Sequence, residues 1–383
     1  MEFVDDDRCG EQARLFAEKE VAPSVAARDR ERRWEPELFR RMGAAGLLGA
    51  TLPGACGGGE LSSLALAGLM RGFAEGSGDP GLALAWVAHT VGCAVPVATL
   101  GTGEQRRRYL QALVRGDAVG ALAHEEQLPA AEPIGVRTTA ARTSPGRWVL
   151  HGTKSWVVNG PVAQLFVVTA VTDPVPGKRG VSAFLVHRDT PGLTVGRRIV
   201  TTGLRTAAIS ELVLDGCELS DDELLGAEGE GLTGVGRLVQ RRLRVFQFAP
   251  WLGFMRVLVD RCVVHARERL VHGRPLSHSQ TARAVLADMR IRLELSRRML
   301  ARAAWQLDAE GEHAGRDVAT CALFLAESVG FVARGAVHLH GAQALESHAL
   351  AGRLARDADA AGLLVDGPDV LRAVIAGSLL DLG

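Results

Sequence analysis

Apolar positions divide the chain into three textures. Up to about residue 116 they recur at helical spacing. Pro36 opens the run Glu37-Leu38-Phe39-Arg40-Arg41-Met42, because Pro suits a first helical turn, and Gly46 stands near its end. Residues 62–74 and the apolar, small-residue stretch 81–100 predict two more helices. Between them and the first helix, Thr51-Leu52-Pro53-Gly54-Ala55-Cys56-Gly57-Gly58-Gly59 is a loop by composition. Thr102-Gly103-Glu104-Gln105 has the form of a capping box: Thr102 caps the helix start and Gln105 reaches back to it.

From Val119 to about Leu225 the texture changes to short β-prone runs, such as Trp148-Val149-Leu150, Ser155-Trp156-Val157-Val158 and Leu165-Phe166-Val167-Val168-Thr169. Turn signals such as Ser144-Pro145-Gly146 and Asn159-Gly160 separate them, which predicts a small antiparallel β domain. Beyond about Gly226 the helical spacing returns in long segments. Leu286, Met289, Leu293, Leu300, Ala304 and Leu307 share one helical face and read as bundle core. Long helices with short links predict an antiparallel bundle. The expected fold is mainly α with a central β domain, divided at residues 1–117, 118–226 and 227–383.

Composition narrows the function classes. The 383 residues are 47% apolar and 23% charged with zero formal net charge, so no broad field favours nucleic acid or an anionic membrane. The six cysteines are scattered, without zinc or redox spacing and without the density of a disulfide framework, which points to a reducing, cytoplasmic setting. The acidic start, Met1-Glu2-Phe3-Val4-Asp5-Asp6-Asp7, does not have the pattern of a signal peptide, and no uninterrupted apolar run reaches membrane-spanning length. Basic residues are nearly all Arg; the lysines are Lys19, Lys154 and Lys178.

One carboxylate stands out locally. Asp366 lies between the apolar Leu364-Val365 and the pair Gly367-Pro368, which should end one helix and begin the next. An apolar side raises a carboxyl pKa, which suits a base that removes a proton from carbon. The plain alternative is a solvated carboxylate or cap at a helix end.

Four stretches in order then carry a resemblance. They are Gly120-Ala121-Leu122-Ala123-His124-Glu125-Glu126, Gly152-Thr153-Lys154-Ser155-Trp156-Val157-Val158-Asn159-Gly160, the segment from Arg269 through Gly273-Arg274-Pro275-Leu276, and Asp366-Gly367-Pro368-Asp369-Val370-Leu371-Arg372. As an ordered set spanning nearly the whole chain, they resemble the acyl-CoA dehydrogenase family. The resemblance implies N-terminal helices, a middle β domain and a C-terminal four-helix bundle. It implies FAD between the β domain and the bundle, an acyl thioester against the flavin, and a homodimer or dimer of dimers in which a neighbouring subunit completes the FAD site.

It also implies roles. Asp366 aligns with the family's catalytic Glu. Asp is one methylene shorter, and a displacement on the order of 1 Å can cost roughly a hundredfold in rate. Nitroalkane oxidases carry Asp there, as does a branch reading Asp-Gly-Pro-Asp-Glu-Val-His; here Val370 and Arg372 replace that Glu and His. The family's second base position falls on Leu243, which has no carboxylate, and Arg244 resembles its active-site Arg. The alternative for Arg244 is a solvated place in the run Arg241-Arg242-Leu243-Arg244.

For the cofactor, Trp156 matches the aromatic at the flavin edge, the alternative being a β-domain core Trp. Val158 fills the slot of a Thr hydroxyl, where a backbone N–H can serve instead. His124 fills another Thr slot with a ring that donates or accepts. Pro129-Ala130-Ala131 replaces the Gly-Ser part of the flavin loop and removes a phosphate-contacting hydroxyl. Arg269 can bind a pyrophosphate in a fork, with Val271-His272 in place of Gln-Phe. His338-Leu339-His340-Gly341-Ala342 matches Gln-x-x-Gly-Gly, which approaches the partner subunit's FAD; His338 replaces Gln, Gly341 is kept and Ala342 adds a methyl. On a helix His338 and His340 point apart, so no metal site is expected. Arg106-Arg107-Arg108 reads as a solvated helix face, with docking of a phosphopantetheine-bearing carrier protein as the alternative.

The leading expectation is FAD-dependent α,β-dehydrogenation of an acyl thioester, bound to CoA or to a carrier protein, in a specialised biosynthetic pathway. No side chain accepts hydride; a flavin does. Two readings stay open beside it: a flavin-dependent oxidase or monooxygenase on the same fold, and a degenerate, FAD-poor subunit with a supporting or redox-neutral role.

Overall fold

The computed structural model describes residues 4–127, 136–173, 180–309, 314–346, 348–361 and 367–380. The N-terminal helices are α1 (Val4–Glu20), α2 (Ala22–Glu31), α3 (Pro36–Ala44), α4 (Ser63–Ser77), α5 (Pro80–His89), α6 (Val95–Leu100) and α7 (Gly103–Arg115). The local signals act as expected. Pro36 begins α3, Ser62 caps α4, and Thr102 and Gln105 close the capping box on α7. The stretch 81–100 is not one regular helix, because a π-helical turn, Thr90–Ala94, joins α5 to α6.

The middle region contains β1 (Gly120–Ala123), β2 (Thr139–Ser144), β3 (Arg147–Val158), β4 (Leu165–Asp173), β5 (Gly180–His187), β6 (Leu193–Arg198), β7 (Ile209–Ser220) and β8 (Leu224–Leu225). The sheet order is β6-β7-β3-β2-β4-β5-β8. Neighbours such as β3 with β7 and β4 with β5 are antiparallel, as expected. The sheet as a whole is mixed, however, since β1 and β2 both pair with β4 in parallel. Turn residues announce hairpins, whereas a parallel pair needs a long connection that leaves no local mark.

The C-terminal helices are α8 (Arg237–Phe246), α9 (Ala249–Glu268), α10 (Gln280–Ala309), α11 (Ala314–His340), α12 (Leu350–Ala361) and α13 (Pro368–Leu379). Between α9 and α10 lies a small hairpin of β9 (Leu270–Val271) and β10 (Arg274–Pro275). Helices α9, α10 and α11 pack on one another, α12 and α13 lie on α11, and α4 packs on α9. Met289, Leu293, Leu300, Ala304 and Leu307 are buried and Leu286 packs against them, so the apolar stripe of α10 is bundle core. One apolar cluster runs through all three regions, from Phe73 and Trp86 through Trp148 and Phe184 to Phe254 and Leu325. Two helical stretches, Pro80–Leu100 and Ala314–Leu345, are long and apolar enough to cross a membrane, although neither is an uninterrupted apolar run; most of the first is buried inside the fold.

Candidate active site

The site begins with an irregularity in β3. Side chains on a strand alternate between faces, so Trp148, Leu150 and Lys154 point inward and are buried. Continued without a break, the alternation would bury Trp156 as well. A bulge between Lys154 and Val157 shifts the register against β7, and Trp156 takes a left-handed φ of 55°. A bulge re-aims a side chain, and Trp156 is accordingly 50% exposed. It is not the core Trp of the β domain. That residue is Trp148, which packs edge-on against Phe184 and donates its indole N–H to Asp221 Oδ1 at 2.7 Å.

The strand ends where its sequence says it should. Asn159 is left-handed at φ 67°. Its buried amide donates to Ala85 O at 2.9 Å and Gly120 O at 3.1 Å, tying β3 to α5 and β1. Gly160 needs to be Gly, since a Cβ there would meet Ser210 Oγ at 2.4 Å.

Lys154 organises the floor behind Trp156. Its ammonium is fully buried and donates to Glu126 Oε1 at 2.6 Å, His124 O at 3.3 Å and Thr169 Oγ1 at 3.4 Å. Glu126 accepts in addition from Arg137 N, Thr138 N and Thr138 Oγ1. Burial pushes the Glu126 carboxyl up, but Lys154 and these hydrogen bonds outweigh it and hold it below its ordinary value. Burial also draws Lys154 below its ordinary value, against the pull of Glu126. His124 Nδ1 lies 2.9 Å from Thr169 Oγ1. Because an ammonium cannot accept, Thr169 Oγ1 accepts from Lys154, and its second lone pair and its proton are both available to His124 Nδ1. Ser155 N donates to Glu125 O at 2.8 Å, joining the segment that follows β1 to the bulged end of β3.

On the bundle side, Arg244 is buried near the end of α8, which excludes the solvated reading, while Arg241 and Arg242 are half-buried. Gln247, one turn on, lines a narrow cleft of about 10 Å³ with Pro80, Ala83, Leu84, Leu204, Pro250, Trp251 and Phe254. Leu243 is half-buried and supplies no carboxylate.

Arg269, His338 and Gly341 form a second group at the other end of the bundle. Arg269 follows α9 and is exposed, with its N–H bonded to His265 O at 2.8 Å. The turn His272-Gly273, both residues left-handed, closes the hairpin beyond it. The His265 ring stacks on His340 with centroids 4.4 Å apart. Burial, His340 and Arg269 together lower its pKa. His338 is exposed near the end of α11 and Gly341, at φ 61°, has open space where a Cβ would stand.

Asp366 and Pro129-Ala130-Ala131 lie outside the described residues. Gly367 caps α13 and Pro368 stands in its first turn, as the Gly-Pro pair predicts. Sequence reasoning missed Lys154 and Glu126 as partners. The available signal was a single lysine on the inward phase of a β run in a chain whose cations are nearly all Arg.

Against known proteins, models of the acyl-CoA dehydrogenase N-terminal, middle and C-terminal domains match residues 5–117, 122–217 and 235–380. The L-prolyl-[peptidyl-carrier protein] dehydrogenase of Pseudomonas fluorescens is 31% identical over 99% of this chain and 100% of its own. A solved structure of PigA with FAD and proline superposes with a TM-score of 0.95 at 27% identity, covering 100% of both chains. Butyryl-CoA dehydrogenase from Megasphaera elsdenii gives 0.92 at 27% identity over 98% of both. The chain belongs to the acyl-CoA dehydrogenase family.

Proposed function

We propose that this protein is a FAD-dependent oxidoreductase that dehydrogenates a small acyl thioester between its α and β carbons, with a prolyl group on a carrier protein as the first substrate to test. The observation that carries the flavin reading is Trp156. Its indole is turned out of the core by a strained bulge and left half exposed, which is a costly arrangement with no use in packing. With His124 and Val158 at the neighbouring flavin positions, the set fits a flavin: an aromatic face and an imidazole that donates or accepts. Arg269, His338 and Gly341 would serve the pyrophosphate region, contributed across a homo-oligomer. FAD, when bound, supplies the hydride acceptor that no side chain provides.

Asp366 would take the α-proton, and Arg244 would supply fixed positive charge near the reacting carbonyl in a buried setting. The carrier-protein preference draws on the relative that acts on an L-prolyl carrier protein and on the solved neighbour that holds FAD and proline.

The test is optical. Protein loaded with FAD is mixed anaerobically with an L-prolyl carrier-protein thioester, and separately with butyryl-CoA. Bleaching by the prolyl thioester supports the full reading. Bleaching by butyryl-CoA alone keeps the reaction and replaces the substrate. A colourless protein that ignores added FAD overturns the flavin assignment. Asp366→Asn should stay yellow and fail to bleach; unchanged bleaching removes Asp366 as the base.

A further inference from the structure

Two cavities lie between α4, α9 and α10, and no residue given a part in the flavin chemistry lines either of them. The first, of about 210 Å³, has Leu64, Leu252 and Leu300 as apolar walls. Its space comes from small side chains, Ala67 and Gly68 on α4 and Ala301 on α10. Packed interiors leave few voids larger than a water molecule, so a space of this size needs a frame. At one end Asp308 of α10 accepts from Ser63 N at 2.8 Å and from Ser63 Oγ at 2.6 Å, at the start of α4. Two turns further along α4, Gly253 of α9 comes so close that a Cβ would stand 2.2 Å from Arg71 O. The three helices are therefore pinned on both sides of the cavity, which opposes its collapse.

The rim is cationic. Arg71, Arg297 and Arg298 stand around the first cavity, and no carboxylate among the described residues lines it. Arg71 is mostly buried and lies 4.0 Å from Glu75; Arg297 lies 3.4 Å from Glu294. Each of these carboxylates is also shared, Glu75 with Arg256 at 3.3 Å and Glu294 with Arg290 at 2.8 Å. Arg298 has no ion pair among the described residues. The second cavity, of about 360 Å³, shares Arg71, Leu252 and Arg297 with the first and continues past Arg256, Asp260, Arg290 and Glu294. It is a mixed-charge approach to an apolar space whose own rim carries only positive charge.

We infer that the first cavity is a binding site for a small amphiphilic carboxylate, with its apolar end between Leu64, Leu252 and Leu300 and its head on Arg71, Arg297 and Arg298. The volume is below the roughly 300–1,000 Å³ of sites for drug-sized ligands, which limits the apolar end to a short chain or a single ring. The rim sets the sign of the head group, since a guanidinium fork takes a carboxylate through two parallel hydrogen bonds. A carboxylate suits the site better than a phosphate. The walls are mainly helix interiors, whose N–H groups are spent in the helix ladder, whereas phosphate sites draw on the free N–H groups of helix starts. The site is independent of the flavin reading.

Hexanoate is the probe, titrated into the full-length protein and followed by saturation-transfer NMR and calorimetry. Saturable binding with a Kd on the order of 1 mM is expected, weakening as salt is raised, and hexylammonium should not compete. The double variant Arg297→Gln/Arg298→Gln changes two exposed side chains and should weaken binding by about tenfold or more. Ala301→Phe fills the space and should abolish binding. Trp156→Ala, at the flavin position, should leave it unchanged. Absence of saturable binding overturns the inference, as does unchanged affinity in the double arginine variant or in a folded Ala301→Phe protein. Loss of binding in Trp156→Ala puts hexanoate at the flavin face and is equally fatal. Tighter binding of n-hexyl phosphate at the same site overturns the carboxylate assignment. If Ala301→Phe does not fold, the double arginine variant decides alone.

Discussion

Trp148 and Trp156 lie eight residues apart on one strand, an even spacing that should put both indoles on the same face. One is sealed in the β-domain core and the other is half exposed. Two register shifts against β7 lie between them, and the second, after Lys154, carries the left-handed turn at Trp156. The same residue type serves packing before the bulge and faces outward after it. Backbone geometry, more than residue identity, separates core from site in this strand.

The largest effect should come from the buried side of that comparison. Trp148→Ala removes an indole packed on Phe184 and one donor to Asp221, which keeps Arg142; a loss of about 3–5 kcal/mol in chemical denaturation is expected. Trp156→Ala should change stability by less than about 0.5 kcal/mol and instead weaken FAD binding in a fluorescence titration. Equal destabilisation by both variants would erase the distinction.

Lys154 is the hinge of the comparison, the last regular inward position before the bulge. Lys154→Met leaves Glu126 buried without its cation, which should cost about 3–5 kcal/mol. The pH dependence has a definite sign. Because the folded-state pKa of Glu126 is lowered, its contribution is present above the ordinary value of 4.5 and is lost as pH falls through the folded value. Acid unfolding of wild-type protein should show this limb, and Lys154→Met should shift it to higher pH.

A smaller acid effect should come from His89, far from the bulge but tied to the strand beside it. Its buried ring lies 3.0 Å from Leu113 O through Nε2 and accepts from Gly120 N through Nδ1 at 2.9 Å. A second proton would set two donors against each other. Burial lowers its pKa from 6.5 to about 4. The stability this neutral form provides is intact above about pH 6.5 and lost as pH falls toward 4, by about 3 kcal/mol from 2.5 pH units. His89→Gln should flatten stability between those values; an unchanged slope would assign the limb elsewhere.

Much of the fold was legible because its signals are local. The capping box at Thr102, the Pro at the start of α3, the Asn159-Gly160 turn and the stripe on α10 each depend on a few neighbouring residues. What was not legible is non-local or irregular. Parallel pairing of β1 with β4 has no turn to announce it. A bulge breaks the alternation from which a strand is read. Glu126 meets Lys154 across 28 residues, and Asp357 meets Leu204 across 153. Asp29 and Leu204, the partners of Arg356 and Asp357, are far away in sequence and belong to the tertiary fold. Arg244 could be told from its exposed alternative only once its burial was known.

The central claim is that the exposed end of β3 faces a flavin that oxidises a small acyl thioester. Anaerobic mixing of the FAD-loaded protein with an L-prolyl carrier-protein thioester, followed in the flavin absorption band, tests it most directly. The account predicts rapid bleaching in wild-type protein, and bleaching lost in Asp366→Asn with the flavin still bound. A protein that stays colourless in FAD, or a bound flavin that no acyl thioester bleaches, would contradict it.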